Sequence, residues 1–221
     1  FSGLDDVEAL VTGPAARTVD VVGFYEAGMP QVFLFVLGFS FLLLLVAFHS
    51  IVIPLKAILL NLLSTGAAYG LLVLVFQEGW GAEFLDVKPG VIETFVPVFI
   101  FTILFGLSMD YHVFILTRVK EARDRGLDSD AAVERGISIT AGTITSAASI
   151  MVAVFGAFAF GRVVLIQSVG FGMALAVALD ATLVRVLLVP ATMRLFGDLN
   201  WWLPAPLARL RHAIAAKVGM E

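Results

Sequence analysis

The sequence predicts an all-α membrane protein with five spanning helices, and three observations carry that reading. Of 221 residues, 60% are apolar and only 14% are charged, and the mean hydropathy is +0.99. Five stretches, residues 33–53, 55–76, 91–116, 137–160 and 163–189, are apolar over the length a helix needs to cross about 30 Å of hydrocarbon. The basic residues are also segregated. Lys56, Arg118, Lys120, Arg123, Arg125, Arg135, Arg194, Arg209, Arg211 and Lys217 fall on one side of the predicted spans. Arg17, Lys88 and Arg162 fall on the other, with Asp5, Asp6, Glu8, Asp20, Glu26, Glu78, Glu83 and Asp86. The positive-inside rule therefore predicts an outside N-terminus and a cytoplasmic C-terminus, as an odd number of spans requires.

Residues 1–30 are too polar for a span. Leu10-Val11-Thr12-Gly13-Pro14 reads as a strand entering a turn. This segment is expected to complete a domain outside the membrane, which makes the chain a piece of a longer polypeptide. Domain limits are 1–30 for that lead-in, 31–197 for the membrane domain and 198–221 for a cytoplasmic tail. The first span is rich in Phe and Leu on all sides, as a lipid-facing helix is, with His49 near its inner interface. The second carries Asn61, Ser64, Thr65 and Gly66 near mid-depth, which predicts a face packed on protein. The third has Pro97 in its outer half, where a kink is expected. Residues 120–135 form a charged, helical loop in which Asp128 or Ser129 can cap a helix. In the fourth span Ala141, Thr145, Ser149 and Ala153 recur every four residues, a seam expected to pack on the third. The fifth holds Asp180 and Arg185, close enough in sequence to pair. Trp80 fits the outer aromatic belt, and Trp201 and Trp202 the inner one.

Asp110 carries the functional signal. It lies eight residues before Arg118, which marks the inner headgroups, hence about 12 Å into the core. A carboxylate there costs roughly 3 kcal/mol on insertion scales and normally marks an ion or proton path. Gly106 precedes it by one helical turn on the same face, so another backbone can come close, and Tyr111 projects to a different side. The hydroxyls of Ser108, Thr145 and Ser149, with Asp180 and Arg185, are candidate supporting groups for such a path.

Other chemistries fit poorly. The sequence has no cysteine, and His49, His112 and His212 are scattered, so metal catalysis is not expected. Asp110 follows Met109 and Asp180 follows Leu179, unlike the paired motifs of aspartyl intramembrane proteases. No Walker-type loop is present, so ATP is not the expected fuel. No nucleic-acid partner and no cofactor beyond protons is expected. What remains is proton-linked transport or a passive membrane module.

Gly106-Leu107-Ser108-Met109-Asp110-Tyr111, continued by Val113-Phe114-Ile115-Leu116-Thr117-Arg118, resembles the Gly-Leu-Ser-x-Asp-Tyr segment of the mycobacterial membrane protein large (MmpL) transporters, within the resistance–nodulation–division (RND) superfamily. Val11-Thr12-Gly13-Pro14 resembles the end of that family's extracytoplasmic porter domain. Thr143-Ile144-Thr145-Ser146-Ala147-Ala148 resembles its next-to-last helix, and Asp180-Ala181-Thr182-Leu183-Val184-Arg185 with Val189-Pro190-Ala191 its last. The resemblance covers residues 10–197 and implies the last five helices of one half of an RND-type transporter, the C-terminal half, preceded by the tail of the porter domain. It implies a proton-relay role for Asp110 and Tyr111, a second Asp-Tyr pair on the other half, and proton-driven export of lipidic or hydrophobic molecules across the bacterial cytoplasmic membrane. Membrane lipids are expected neighbours, and the oligomeric state is left open. His112 departs from the acidic or amide residue common at that position, and a titratable imidazole there can change the pH range of the relay. Rival readings are a five-helix lipid- or sterol-sensing or scaffold module, and a SecD/SecF-like translocation accessory.

Overall fold

The computed structural model describes residues 13–204. Five long helices dominate it, each long and apolar enough to cross a membrane. They are α1 (Pro14–Phe48), α2 (Val52–Phe76), α3 (Phe95–Asp124), α4 (Ser129–Ala159) and a fifth over Val164–Trp201 that opens with α5 (Val164–Leu179). α5 continues through a π-helical segment, Asp180–Leu188, into a last α-helix, α6 (Val189–Phe196). Among the described residues no strand occurs. The expected strand over residues 10–14 lies outside them except for Gly13 and Pro14, and Pro14 opens α1.

Several boundaries differ from the sequence reading. α1 starts at Pro14, so the polar stretch before residue 31 is helical and continuous with the first span. Proline suits a first helical turn, because its missing N–H would find no intrahelical partner there. At the other end α1 stops at Phe48, short of residue 53, because His49 turns into the left-handed region (φ 52°). α3 begins at Phe95, which puts Pro97 in its first turn. No interior backbone bond is lost there, and the expected cause of a kink disappears. The Pro97 carbonyl instead accepts the Tyr69 hydroxyl. α4 begins at Ser129, with Asp128 as its N-cap accepting from the Ala131 N–H at 2.7 Å.

α3 lies at the centre and touches each of the other four long helices. Phe33 of α1 stacks on Phe101 at 4.0 Å between ring centroids, and Phe101 lies 5.0 Å from Phe105. Lipid tails are as apolar as these side chains, so close packing and hydrogen bonds hold such helices together rather than water exclusion. Small residues mark the tightest crossings. A Cβ on Gly136 would sit 2.9 Å from the Val119 backbone nitrogen, and one on Gly170 would sit 2.7 Å from the Phe155 carbonyl oxygen. The buried stripe of α4 is thus Gly136, Thr140, Ile144 and Ala148. The seam expected from the sequence, Ala141, Thr145, Ser149 and Ala153, faces outward and does not pack on α3. Both stripes repeat every four residues, and they differ by one residue in phase, about 100° around the helix.

The loops close both ends. The Gln167 side chain donates to the Leu85 carbonyl at 3.0 Å, and Gly90 N–H donates to the Phe76 carbonyl at 2.8 Å, fixing the loop after α2. At the basic end, residues 197–201 return to the bundle. Asn200 accepts from Lys56 through Oδ1, its backbone carbonyl accepts from the Ser50 hydroxyl, and Arg123 lies 2.9 Å from Asp198.

Candidate functional site

α3 presents its polar residues in two opposite directions. Thr102, Gly106 and Asp110, spaced by four, form an exposed stripe. Nothing lies within 4 Å of a Cβ built on Gly106, so among the described residues no backbone approaches the carboxylate as expected. Ser108 and His112 face inward and are buried. Tyr111 lies between, half-buried, with its Oη 3.9 Å from Met151 Sδ.

Behind Tyr111 a buried polar cluster joins three elements. Asp180 and Arg185, 3% and 5% exposed, are paired: Arg185 donates through Nε at 3.0 Å and through Nη2 to Asp180 Oδ2. An α-helix separates residues five apart by about 140°. The π segment bonds each N–H five residues back, as Val189 N–H does to the Val184 carbonyl, and this brings a five-residue spacing onto one face. Ser108 Oγ lies 3.0 Å from Asp180 Oδ1 and 2.6 Å from the Asn61 amide oxygen position. A hydroxyl has one proton and cannot donate to two acceptors. Turning the Asn61 amide resolves this, because its NH₂ then donates to Ser108 and Ser108 donates to Asp180. It also gives a partner to the amide nitrogen otherwise left unpaired. The ionised Asp180 carboxylate thus gathers three donors, two of them cationic. That is what a buried charge requires, since an unpaired one would cost several kcal/mol.

Arg185 ties this cluster to Tyr111. Its guanidinium carbon lies 4.1 Å from the Tyr111 ring centroid, well inside cation–π range. Ser108, Tyr111, Asp180 and Arg185 also line a cavity of about 10 Å³. The structure therefore brings together Ser108, Tyr111, Asp180 and Arg185, and leaves Asp110, Thr145 and Ser149 on outward surfaces. Ser149 spends its hydroxyl on the Thr145 carbonyl at 2.8 Å. The sequence reading gave Asn61 only a packing role, yet it belongs to the cluster. A mid-span amide opposite a mid-span serine was the available signal.

The arrangement is an all-α membrane bundle with a charged pair, Asp180 and Arg185, buried inside it and a carboxylate, Asp110, on an open face. Comparison with known proteins is more specific. The sequence profile of the MMPL family matches residues 2–215, and the chain belongs to that family. It is 43% identical over 200 residues to the mycolic acid-containing lipids exporter MmpL11 of Mycolicibacterium smegmatis, covering 90% of this chain and 21% of that protein. It is 44% identical over 204 residues to the heme uptake protein MmpL11 of Mycobacterium tuberculosis, covering 92% and 21%. To the trehalose monomycolate exporter MmpL3 of the same species it is 38% identical over 208 residues, covering 94% and 22%. The chain spans about a fifth of the length of these relatives. Each of these relatives is named for the export or uptake of a molecule.

Proposed function

We propose that this chain supplies one half of the transmembrane proton relay of an exporter of lipidic or hydrophobic molecules, driven by the proton-motive force across the bacterial cytoplasmic membrane. The observation that carries the reading is Asp110: a carboxylate in the middle of α3, on a stripe that the described residues leave uncovered. Inside a bilayer such a group must be protonated, paired or hydrated. A face that alternates between a closed and a hydrated partner surface would bind and release its proton, which is what coupling requires. The partner is the other half of the transporter, with its own Asp-Tyr pair. Tyr111, held under Arg185, offers the hydroxyl of the relay. Lipid export is supported by two of the three relatives, which are named as lipid exporters. The charge asymmetry orients the bundle with its N-terminus outside and its basic end in the cytoplasm.

The test is export by the assembled transporter in proteoliposomes with an imposed pH gradient. Asp110→Asn keeps the shape and cannot release a proton, so gradient-driven export should vanish while expression and insertion persist. Tyr111→Phe should slow export less completely. Wild-type export by Asp110→Asn would refute the relay.

A further inference from the structure

The acidic end of the bundle holds a cavity of about 100 Å³, about ten times the size of the one beside Tyr111. It lies between the end of α2, the residues that lead into α3 and the first turn of α5. Phe76, 2% exposed, gives it an apolar wall, and Val91 and Val164, 93% and 50% exposed, stand on its open side. Two polar side chains line it, Glu93 and Ser168. Ser168 is 4% exposed and donates its one proton to the Leu165 carbonyl at 2.8 Å, so towards a ligand its oxygen only accepts. An ionised Glu93 likewise only accepts. Among the described residues Glu93 has no ion-pair partner and no side-chain hydrogen bond. The loops around it, residues 77–94 and 160–163, carry Glu78, Glu83, Asp86 and Glu93 against only Lys88 and Arg162. The N-terminus of α5 opens at the same end with about half a positive charge, which the full charge of Glu93 outweighs.

A bare metal ion fits poorly, because calcium takes about six to eight oxygens and here one carboxylate and one hydroxyl stand among apolar walls. A neutral or anionic amphiphile would leave the carboxylate without a counter-charge. An alkylammonium brings positive N–H donors to both acceptors and a chain to the apolar walls, and it stays protonated near neutral pH as lysine does. We propose that this cavity binds the ammonium head of an amphiphilic amine, with Glu93 as counter-ion, Ser168 as a further acceptor, and the chain leaving past Val91 and Val164 into the bilayer. The charge asymmetry places this end at the outer leaflet. The site rests on the cavity and not on the relay reading above. Its chemistry is shared by a free single-chain amine and by the headgroup of phosphatidylethanolamine.

The test is photolabelling of the assembled transporter in phosphatidylcholine nanodiscs with dodecylamine that carries a diazirine near its head, followed by peptide mass spectrometry. Labels are expected on residues 90–93 and 164–168, and excess dodecylamine should remove them while dodecanol does not. Glu93→Gln keeps the shape and removes the charge, and apparent affinity should fall about three- to fivefold, the upper range for an exposed ion pair. Val164→Trp fills the cavity with the charge in place and should abolish labelling. Glu78→Gln, on the same end but outside the lining, should leave it unchanged. Labels elsewhere, equal competition by dodecanol, or equal losses in Glu78→Gln and Glu93→Gln would overturn the proposal. Weaker labelling in phosphatidylethanolamine discs supports that lipid's headgroup as the resident ligand, and unchanged labelling supports a free amine.

Discussion

Replacing Asp180 by Asn tests the centre of the bundle directly. The substitution keeps the volume and one acceptor oxygen, and removes the charge that compensates Arg185. That guanidinium is 5% exposed and already has one unpartnered nitrogen, Nη1, so losing the carboxylate strands a buried cation. Losing one member of a buried ion pair costs about 3–5 kcal/mol in soluble proteins. Side-chain hydrogen bonds between membrane helices are weaker, about 0.6 kcal/mol on average and about 1.7 at most, because the unfolded chain in lipid also finds partners. Here a charge is stranded as well as bonds lost, so the expected cost is about 3 kcal/mol, roughly a hundredfold in the unfolding equilibrium. Arg185→Met should cost a similar amount by stranding Asp180, although Ser108 still donates to it. The double variant buries no unpaired charge, and it should be more stable than the sum of the single losses by about 2 kcal/mol. Reversible unfolding in mixed micelles, followed by circular dichroism, measures all three. Additive losses, with coupling below about 0.5 kcal/mol, would show that the two charges do not depend on one another.

The packing phase of α4 predicts that Gly136→Ala, whose new methyl would meet the Val119 backbone, destabilises by about 1–3 kcal/mol in the same assay, while Ser149→Phe on the outward stripe changes it little. The reverse order would mean that α4 packs by its Ala141–Thr145–Ser149 stripe after all. Gly170→Ala should behave like Gly136→Ala, since its methyl would sit 2.6 Å from Phe158 Cβ at the α4–α5 crossing. For topology, single cysteines introduced at Glu78 and at Gly126 should react with an impermeant thiol reagent from opposite sides of the membrane, Glu78 from outside. Labelling of Gly126 from outside would reverse the orientation read from the charges.

The spans were legible because a helix in lipid must satisfy every backbone group internally, which leaves a long apolar run almost no alternative. The Asp128 cap and the protein-facing Asn61, Ser64 and Thr65 were legible for similar local reasons, since capping chemistry and mid-span polarity act within a turn or two, whereas Gly66, expected on the same face, is exposed. The start of α1 was not. The polarity of residues 14–30 argues against membrane and leaves helix open. The seam on α4 was misplaced because two small-residue stripes run side by side, Gly136–Thr140–Ile144–Ala148 and Ala141–Thr145–Ser149. Sequence gives their period equally well, and only the neighbour chooses between them.

The sequence by itself determined that this chain is five membrane helices of the MMPL family, and it singled out Asp110. Hydrophobic length, charge bias and an ordered series of motifs are properties of the chain, independent of how the helices are placed. Only the tertiary structure decided that Asp110 faces out while Ser108 and His112 face in. It also decided that a π segment swings Arg185 onto Asp180 and over Tyr111. Those facts depend on the rotation of each helix about its own axis. Rotation is set by which side chains interlock with a neighbour distant in sequence, and a residue on an apolar helix carries no local mark of the direction in which that neighbour lies.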